Sequence, residues 1–325
     1  MRDVFHWAFI GAGTLARQVA KEITATGRHK VVSVYTHNPE KCREFADAWN
    51  AHAATSSEEA MLHPGVDGVY IVTPHTSHAD YALQAISLSI PVLCEKPFST
   101  DSQKTGEALQ LAQERHVYCA EAMWSWFSPI AQQMKTWYDS GEYGSLQKFR
   151  MTYHLKSIHY APRVSDPMLA GGALLDIGIY PLTYAYRLMG YPDRIECHGN
   201  LQGGIDTGET ILLSWKDGRH CEIDVSIMDF RGLEKLTLKG TKGSTKLWFY
   251  HSANHVSLHR RHGQTARLCA SGGYVNEFDC VAHEIREGLT ESLLVPHNAT
   301  LDVMRIMDEC RRQMGLVYPF EANPG

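Results

Sequence analysis

Apolar runs alternate with amphipathic stretches through the first 120 residues of the chain. Val4–Ile10 reads as a buried strand, and a helical pattern through Val19, Ala20 and Ile23 follows it and stops at Gly27. The alternation continues with strand Lys30–Tyr35, helix Pro39–Asn50, a short helix Ser57–Leu62 and strand Asp67–Val72. Ser77 then stands as the N-cap of a helix through Ala79, Leu83 and Ile86. Strand Ile90–Cys94, helix Thr100–Arg115 and strand His116–Ala120 complete the series. Continuous apolar strands separated by helices predict α/β architecture, a doubly wound parallel sheet buried on both faces.

The texture changes after Phe127. Ser128-Pro129 opens a helix with a capping hydroxyl and a proline at its first position. From Leu146 the pattern turns strand-like, at 146–154, 194–202, 209–215, 219–228, 233–239, 244–250 and 255–260. Asp217-Gly218 between two such runs is a hairpin signal, and Gly240–Gly243 is another turn. The expectation is an α+β domain with an open, mostly antiparallel sheet, closed by helices at 274–288 and 299–314. An open sheet needs a cover, and a homodimer packed sheet to sheet is the simplest one.

The chain has 325 residues, 44% hydrophobic and 21% charged, an ordinary globular composition long enough for two domains. The division is expected at 1–122 and 123–325, with packing of the 299–314 helix back on the first domain left open. A net charge of −5 leaves no electrostatic footprint for nucleic acid. No uninterrupted apolar run approaches the roughly 18 residues of a membrane span. The first ten residues look like an export signal only superficially, because Asp3 and His6 interrupt them. The eight cysteines form no C-x-x-C pair and are expected as reduced thiols of a cytoplasmic protein, with Cys94 and Cys119 in the core. The 18 histidines are scattered too widely to predict a metal site.

Several groups of residues could carry chemistry. Gly11-Ala12-Gly13-Thr14-Leu15-Ala16 stands between the first strand and first helix. Gly11 would allow the tight turn, Gly13 a close approach of backbone to a pyrophosphate, and Ala16 close helix packing. The second strand ends in Tyr35-Thr36-His37-Asn38, without the carboxylate that would hold the ribose 2′-hydroxyl of NAD. Thr36, His37 and Asn38 can donate to a 2′-phosphate, so NADP is favoured, with NAD possible. Thr73-Pro74-His75 and His78 belong to the same sheet edge. Its histidines, His75 and His78, could line a nicotinamide pocket, or His78 could simply sit in the first turn of a helix.

Glu95-Lys96-Pro97 ends the apolar run Ile90–Cys94 at the edge where open parallel sheets bind ligands, or only solvates that edge. Later in the chain, Asp176 and Tyr180 are four residues apart, on one face if the segment is helical, although Pro181 opposes a regular helix there. A first-turn carboxylate and a packing tyrosine would give the same pattern.

Taken together, the glycine loop, Thr73-Pro74-His75-x-x-His78, Glu95-Lys96-Pro97 and Gly171-Gly172-x-x-x-Asp176-x-Gly178-x-Tyr180 resemble the Gfo/Idh/MocA oxidoreductases. Glu121-Ala122-Met123-Trp124 narrows the resemblance to the branch of dimeric dihydrodiol dehydrogenase and NADP-dependent D-xylose dehydrogenase. The resemblance implies a Rossmann domain followed by a substrate and dimerisation domain. It also implies hydride transfer between NADP and a sugar, polyol or trans-dihydrodiol.

In that reading Tyr180 is the general acid/base and Lys96 supplies the cation that a phenol of ordinary pKa near 10 needs. Asp176 holds substrate or orients Lys96. Trp124 and Phe127 line the substrate pocket, Arg163 lies near the nicotinamide or the substrate, and Glu95 orients Lys96 or bonds the cofactor. A non-catalytic NADP-binding sensor or scaffold of the same fold is the rival. Three positions depart from the branch pattern: Trp126 and His37 replace arginines, and Ala170 replaces the first of three glycines.

Overall fold

A computed structural model describes residues 4–159 and 161–322. The chain divides into two compact units. One runs up to Phe127 and includes Gly273–Thr300; the other comprises Ser128–Gly272 and the chain from Leu301 on. The division after Phe127 lies five residues beyond the expected boundary. The return of 273–300 to the first unit has no counterpart in the sequence pattern.

The first unit is built on β1 (Phe5–Ile10), α1 (Thr14–Thr24), β2 (His29–Tyr35), α2 (Pro39–Trp49), β3 (His52–Ala53) and α3 (Ser57–Met61). It continues through β4 (Gly68–Ile71), α4 (His78–Ser87), β5 (Val92–Glu95), α5 (Ser102–Arg115) and β6 (Cys119–Ala122). The strands form one parallel sheet in the order β3-β2-β1-β4-β5-β6. That is the doubly wound Rossmann arrangement, with the switch point between β1 and β4. Every residue of β4, β5 and β6 is buried, which explains why apolar residues dominate them, with Glu95 and Glu121 the charged exceptions.

The helix starts follow local chemistry. Asn38 Oδ1 accepts the Lys41 N–H at 3.0 Å with Pro39 at the first position of α2, and Asp101 Oδ1 accepts the Lys104 N–H at 2.8 Å. Ser77 holds the N-cap position of α4 without capping it. Its hydroxyl turns back to Thr73 Oγ1 and the Pro74 carbonyl, because a single 3-10 turn, His75–Ser77, precedes the helix.

The second unit begins with α6 (Pro129–Asp139), where Ser128 Oγ accepts the Ile130 N–H as the sequence predicts. Then come β7 (Leu146–His154), α7 (Ile179–Met189), β8 (Arg194–Gln202), β9 (Ile205–Ser214), β10 (His220–Ser226) and β11 (Glu234–Gly240). β12 (Gly243–Trp248), β13 (His255–Arg260) and β14 (Ala266–Cys269) complete the sheet, in the order β14-β13-β12-β11-β7-β10-β9-β8. All its pairings are antiparallel except β10 with β7. α8 (Tyr274–Arg286) belongs to the first unit, where Phe278 packs against Trp7 and Tyr70. α9 (His297–Met314) crosses the division at Thr300.

The helical stretch Pro167–Met189 is long and apolar enough to cross a membrane by length and composition, but 89% of its apolar window is buried within the protein. It is a core element, built of segments that no single apolar run in the sequence reveals. Among the described residues no His/Cys/Asp/Glu group has the arrangement of a metal site, and Cys94 and Cys119 are fully buried.

Candidate active site

The switch point creates the first part of the site. Gly11 leaves β1 at φ +116°, and a Cβ there would overlap the Val72 carbonyl at the end of β4. Only glycine lets the two strand ends approach so closely. Gly13 differs: a Cβ there would meet nothing within 4 Å. That open space lies at the N-terminus of α1, and no side chain caps the helix there. Its first N–H groups therefore remain available to a phosphate. Thr14 and Leu15 begin α1 over this space. The residues present fit a dinucleotide.

At the end of β2, His37 is exposed and held from both sides. Its Nδ1 lies 3.2 Å from the Tyr35 hydroxyl and its Nε2 lies 3.0 Å from that of Tyr81 on α4. Asn38 has committed its oxygen to the α2 cap, which leaves its amide N–H groups as donors. Tyr81 was invisible to local reading because it comes from a different helix.

The third loop is pinned from within. His78 is buried, with Nδ1 2.9 Å from the Pro97 carbonyl and Nε2 2.8 Å from the Thr73 carbonyl. Burial holds its pKa below the ordinary histidine range, so the ring is neutral and donates to one carbonyl at a time. His78 opens α4, as the helix-start reading has it, and its ring also ties the β4 loop to the β5 loop. His75 is also buried, and its ring lies edge-on to His78 at 5.8 Å.

At the end of β5, Glu95 is buried and accepts the Tyr70 hydroxyl at 2.6 Å and the Lys96 N–H at 3.1 Å. Its carboxylate is spent on the turn, and the Lys96–Pro97 peptide is cis. Lys96 itself is half-buried. Behind this turn stands Glu277 of α8, fully buried, with no hydrogen bond to either oxygen and a pKa well above the carboxylate range. Burial is the main cause, and the charge of Glu95 adds to it. Trp124 is half-buried with Tyr274 at 5.1 Å, and Phe127 is buried. Trp126, in the place of the usual arginine, is fully buried as well.

The second unit carries the other half of the motif. Ala170 adopts φ +54°, a left-handed conformation that glycine takes at no cost and alanine at about 1 kcal/mol. Gly172 follows at φ +130°, beneath the buried Asp206, which accepts the Leu174 N–H at 2.6 Å. Leu174–Gly178 then forms a turn of π-helix before α7 starts at Ile179. Pro181 falls in the first turn of α7, where its missing N–H costs little. The conflict between Pro181 and a single regular helix is resolved by the wider turn.

Asp176 pairs with Arg163 at 2.9 Å, bringing together two of the expected substrate residues. Tyr180 is nearly buried, 5.9 Å from the Tyr153 ring and 5.3 Å from that of His251. His251 Nδ1 lies 2.5 Å from Oε2 of the buried Glu234, whose Oε1 accepts the His251 N–H. Neither His251 nor Glu234 stood out in the sequence. Glu234 opens β11 and His251 lies in the turn after β12, among 18 histidines and many carboxylates, and only folding brings them to Tyr180.

Comparison with known proteins agrees with this construction. Residues 5–123 match the family model described as an oxidoreductase family with an NAD-binding Rossmann fold. Residues 131–246 match the GFO/IDH/MocA C-terminal domain. A trans-1,2-dihydrobenzene-1,2-diol dehydrogenase of Mus musculus is 29% identical over 96% of this chain and 98% of its own. A D-xylose 1-dehydrogenase (NADP(+)) of Hypocrea jecorina is 25% identical over 96% of this chain and 93% of its own. A 3-ketoreductase from Actinomadura kijaniata, solved with NADP and TDP-benzene, superposes with a TM-score of 0.81 at 18% identity, covering 96% of this chain and 98% of that one. That last likeness shows the fold. With both halves of the chain matched, and with a dinucleotide loop of the right construction, the protein belongs to the Gfo/Idh/MocA oxidoreductase family.

Proposed function

We propose that the protein is an NADP-dependent dehydrogenase acting on a CH–OH group of a sugar, polyol or trans-dihydrodiol, with the reverse reduction equally open. The observation that carries this reading is the setting of Tyr180, a phenol walled by Tyr153 and His251 and preceded by the Arg163–Asp176 pair. When bound, the nicotinamide exchanges hydride with the substrate carbon. Tyr180 takes or returns the hydroxyl proton, and Lys96 is the cation that favours the deprotonated phenol and the alkoxide. Glu234 on Nδ1 fixes the orientation of the His251 imidazole beside the same phenol, so it supports that role from within the second unit. The Arg163–Asp176 pair offers donors and acceptors to vicinal hydroxyls.

NADP is favoured over NAD because the strand end at Thr36, His37 and Asn38 carries no carboxylate and several donors. The names of similar proteins support the same choice. The test is absorbance at 340 nm with NADP and NAD in parallel, across D-xylose and other aldoses, inositols and trans-dihydrodiols. Turnover of at least one class with NADP preferred is expected. Tight NADP binding without turnover of any would instead support the sensor or scaffold reading.

The same proposal includes a homodimer through the outward face of the second sheet. Lys148, Arg150, Lys239 and Lys246 stand on one half of that face, and Glu196, Glu222 and Asp224 on the other, all at least partly exposed. Two copies related by a two-fold axis can set each basic half on an acidic half. Light scattering should therefore give twice the chain mass, and Glu222→Lys with Asp224→Lys should lower it. A native chain of monomer mass at micromolar concentration would remove this part of the proposal.

A further inference from the structure

Lys96 stands in a turn whose backbone is gripped by buried side chains. Its own N–H goes to Glu95, the Pro97 carbonyl faces His78 at 2.9 Å, and the Phe98 N–H donates to Glu121 Oε1 at 2.9 Å. Glu121 lies on β6 directly beside Cys94 of β5, so Glu95 and Glu121 approach the turn from adjacent strands. Its other oxygen, Oε2, accepts the Thr300 hydroxyl at 3.2 Å. Glu121 is 3% exposed, a carboxyl inside an otherwise apolar strand, Tyr118-Cys119-Ala120-Glu121-Ala122. Burying a carboxyl there is unfavourable, and packing alone gives no reason for it.

We propose that Glu121 is a positioning residue for Lys96. Ionised, it anchors the turn through the Phe98 N–H and sets a negative charge near the Lys96 amine; protonated, it holds that turn less firmly and Lys96 loses its placement. The proposal rests on the reading that Lys96 serves the hydride chemistry.

The groups around Glu121 make it the member of this clamp that changes state near neutrality. Burial raises its pKa to about 7, the Phe98 and Thr300 bonds oppose that rise, the charge of Glu95 adds to it and that of Lys96 reduces it. His78, facing the same turn, is held below its ordinary range and stays neutral. Cys94, alongside on β5, is held well above its ordinary range and stays a thiol. His297, in the first turn of α9, bonds the Cys119 carbonyl at 2.8 Å two residues from Glu121.

The sign of the linkage follows. A carboxyl raised from 4.5 to about 7 on folding contributes stability that is fully present below about 4.5. That contribution is lost as pH rises through about 7, so the ionised Glu121 that anchors the turn is held at the expense of stability.

The test uses the full chain and two variants, Glu121→Gln and Thr300→Val. Acetic anhydride labelling, read by mass spectrometry at Lys96, reports how much free amine is present without any substrate. At pH 8 Glu121→Gln should be labelled several-fold faster at Lys96 than the native chain, while other lysines are unchanged. With NADP and D-xylose or a trans-dihydrodiol, native turnover should fall several-fold between pH 8 and pH 6. In Glu121→Gln that acidic limb should be absent and turnover flat at the lower level. Thr300→Val removes a bond that favours the charged form, so the limb should move to higher pH.

Melting temperature supplies a further check. The offset of Glu121→Gln over the native chain should be more positive at pH 8 than at pH 4.5. Equal Lys96 labelling in native chain and Glu121→Gln, or an acidic limb that survives in Glu121→Gln, would overturn the proposal. Undiminished turnover in Lys96→Ala would instead remove the reading of Lys96, and the labelling comparison would still judge the coupling.

Discussion

Tyr180→Phe should lower turnover by a factor of about 10² to 10⁴ while leaving NADPH binding unchanged. The substitution removes one oxygen and nothing else. The ring remains against Tyr153 and His251, at centroid distances of 5.9 and 5.3 Å, so the cluster keeps its shape. The residues proposed to hold the cofactor, from Gly11 to Lys96, all lie in the first unit, whereas Tyr180 lies in the second. A change in turnover that leaves dinucleotide affinity intact therefore isolates the proton transfer. Steady-state rates at 340 nm and a fluorescence titration with NADPH measure the two quantities separately. A rate within about tenfold of the native one would take the phenol out of the acid/base role. His251, with Glu234 on its Nδ1, would then become the first candidate for that role.

How much of this could be read from the chain depends on how local the cause is. The glycine loop was legible because strand, tight turn and helix are contiguous, and Gly11 does meet the Val72 carbonyl as a switch point requires. The parallel order of β1, β4, β5 and β6 follows from apolar runs that only a doubly covered sheet can bury. The Asp217-Gly218 turn joins β9 and β10, whose ends pair Ser214 with His220. Strands of two and four residues, β3 and β14, carry too few positions to show a period. The return of α8 to the first sheet depends on Phe278 meeting Trp7 and Tyr70, about 200 residues away or more in sequence, and amphipathicity alone names no partner.

Polar partners were the least legible part. Glu95, Glu121 and Glu277 sit in apolar elements, where a period-two or 3.6-residue pattern records only that a polar residue interrupts. The sequence reading could place Glu95 at the strand end but not find Tyr70, which folding brings to within 2.6 Å. Ala170 reads as the least consequential of the three departures, and it stands in a left-handed conformation that favours the glycine it replaces.

Gly172→Ala should cost about 3 kcal/mol or more of stability, the largest loss expected from adding a single methyl group in this site. A Cβ at Gly172 would overlap Asp206 Oδ1 and press on its backbone carbonyl, and φ +130° is strained for alanine in any case. Asp206 has little room to retreat, being fully buried with Glu209 beside it. Burial raises both carboxyls of the pair: Glu209 goes well above the carboxylate range, with the charge of Asp206 the next cause, and Asp206 is raised too, against the lowering effect of the Leu174 N–H. If Asp206 shifts, the Leu174 N–H loses its 2.6 Å acceptor at the start of the π-turn. A buried N–H without a partner costs about 1 to 3 kcal/mol by itself. At about 2 to 4 °C per kcal/mol for a domain of this size, the melting temperature should fall by roughly 10 °C. Turnover should fall with it, because the π-turn carries Asp176 and leads into Tyr180. The second glycine of the motif is thus required by the buried Asp206 on β9, whereas a Cβ at Gly13 would meet nothing within 4 Å. A melting temperature unchanged within about 2 °C would show that Asp206 yields without loss, and Gly172 would lose this explanation.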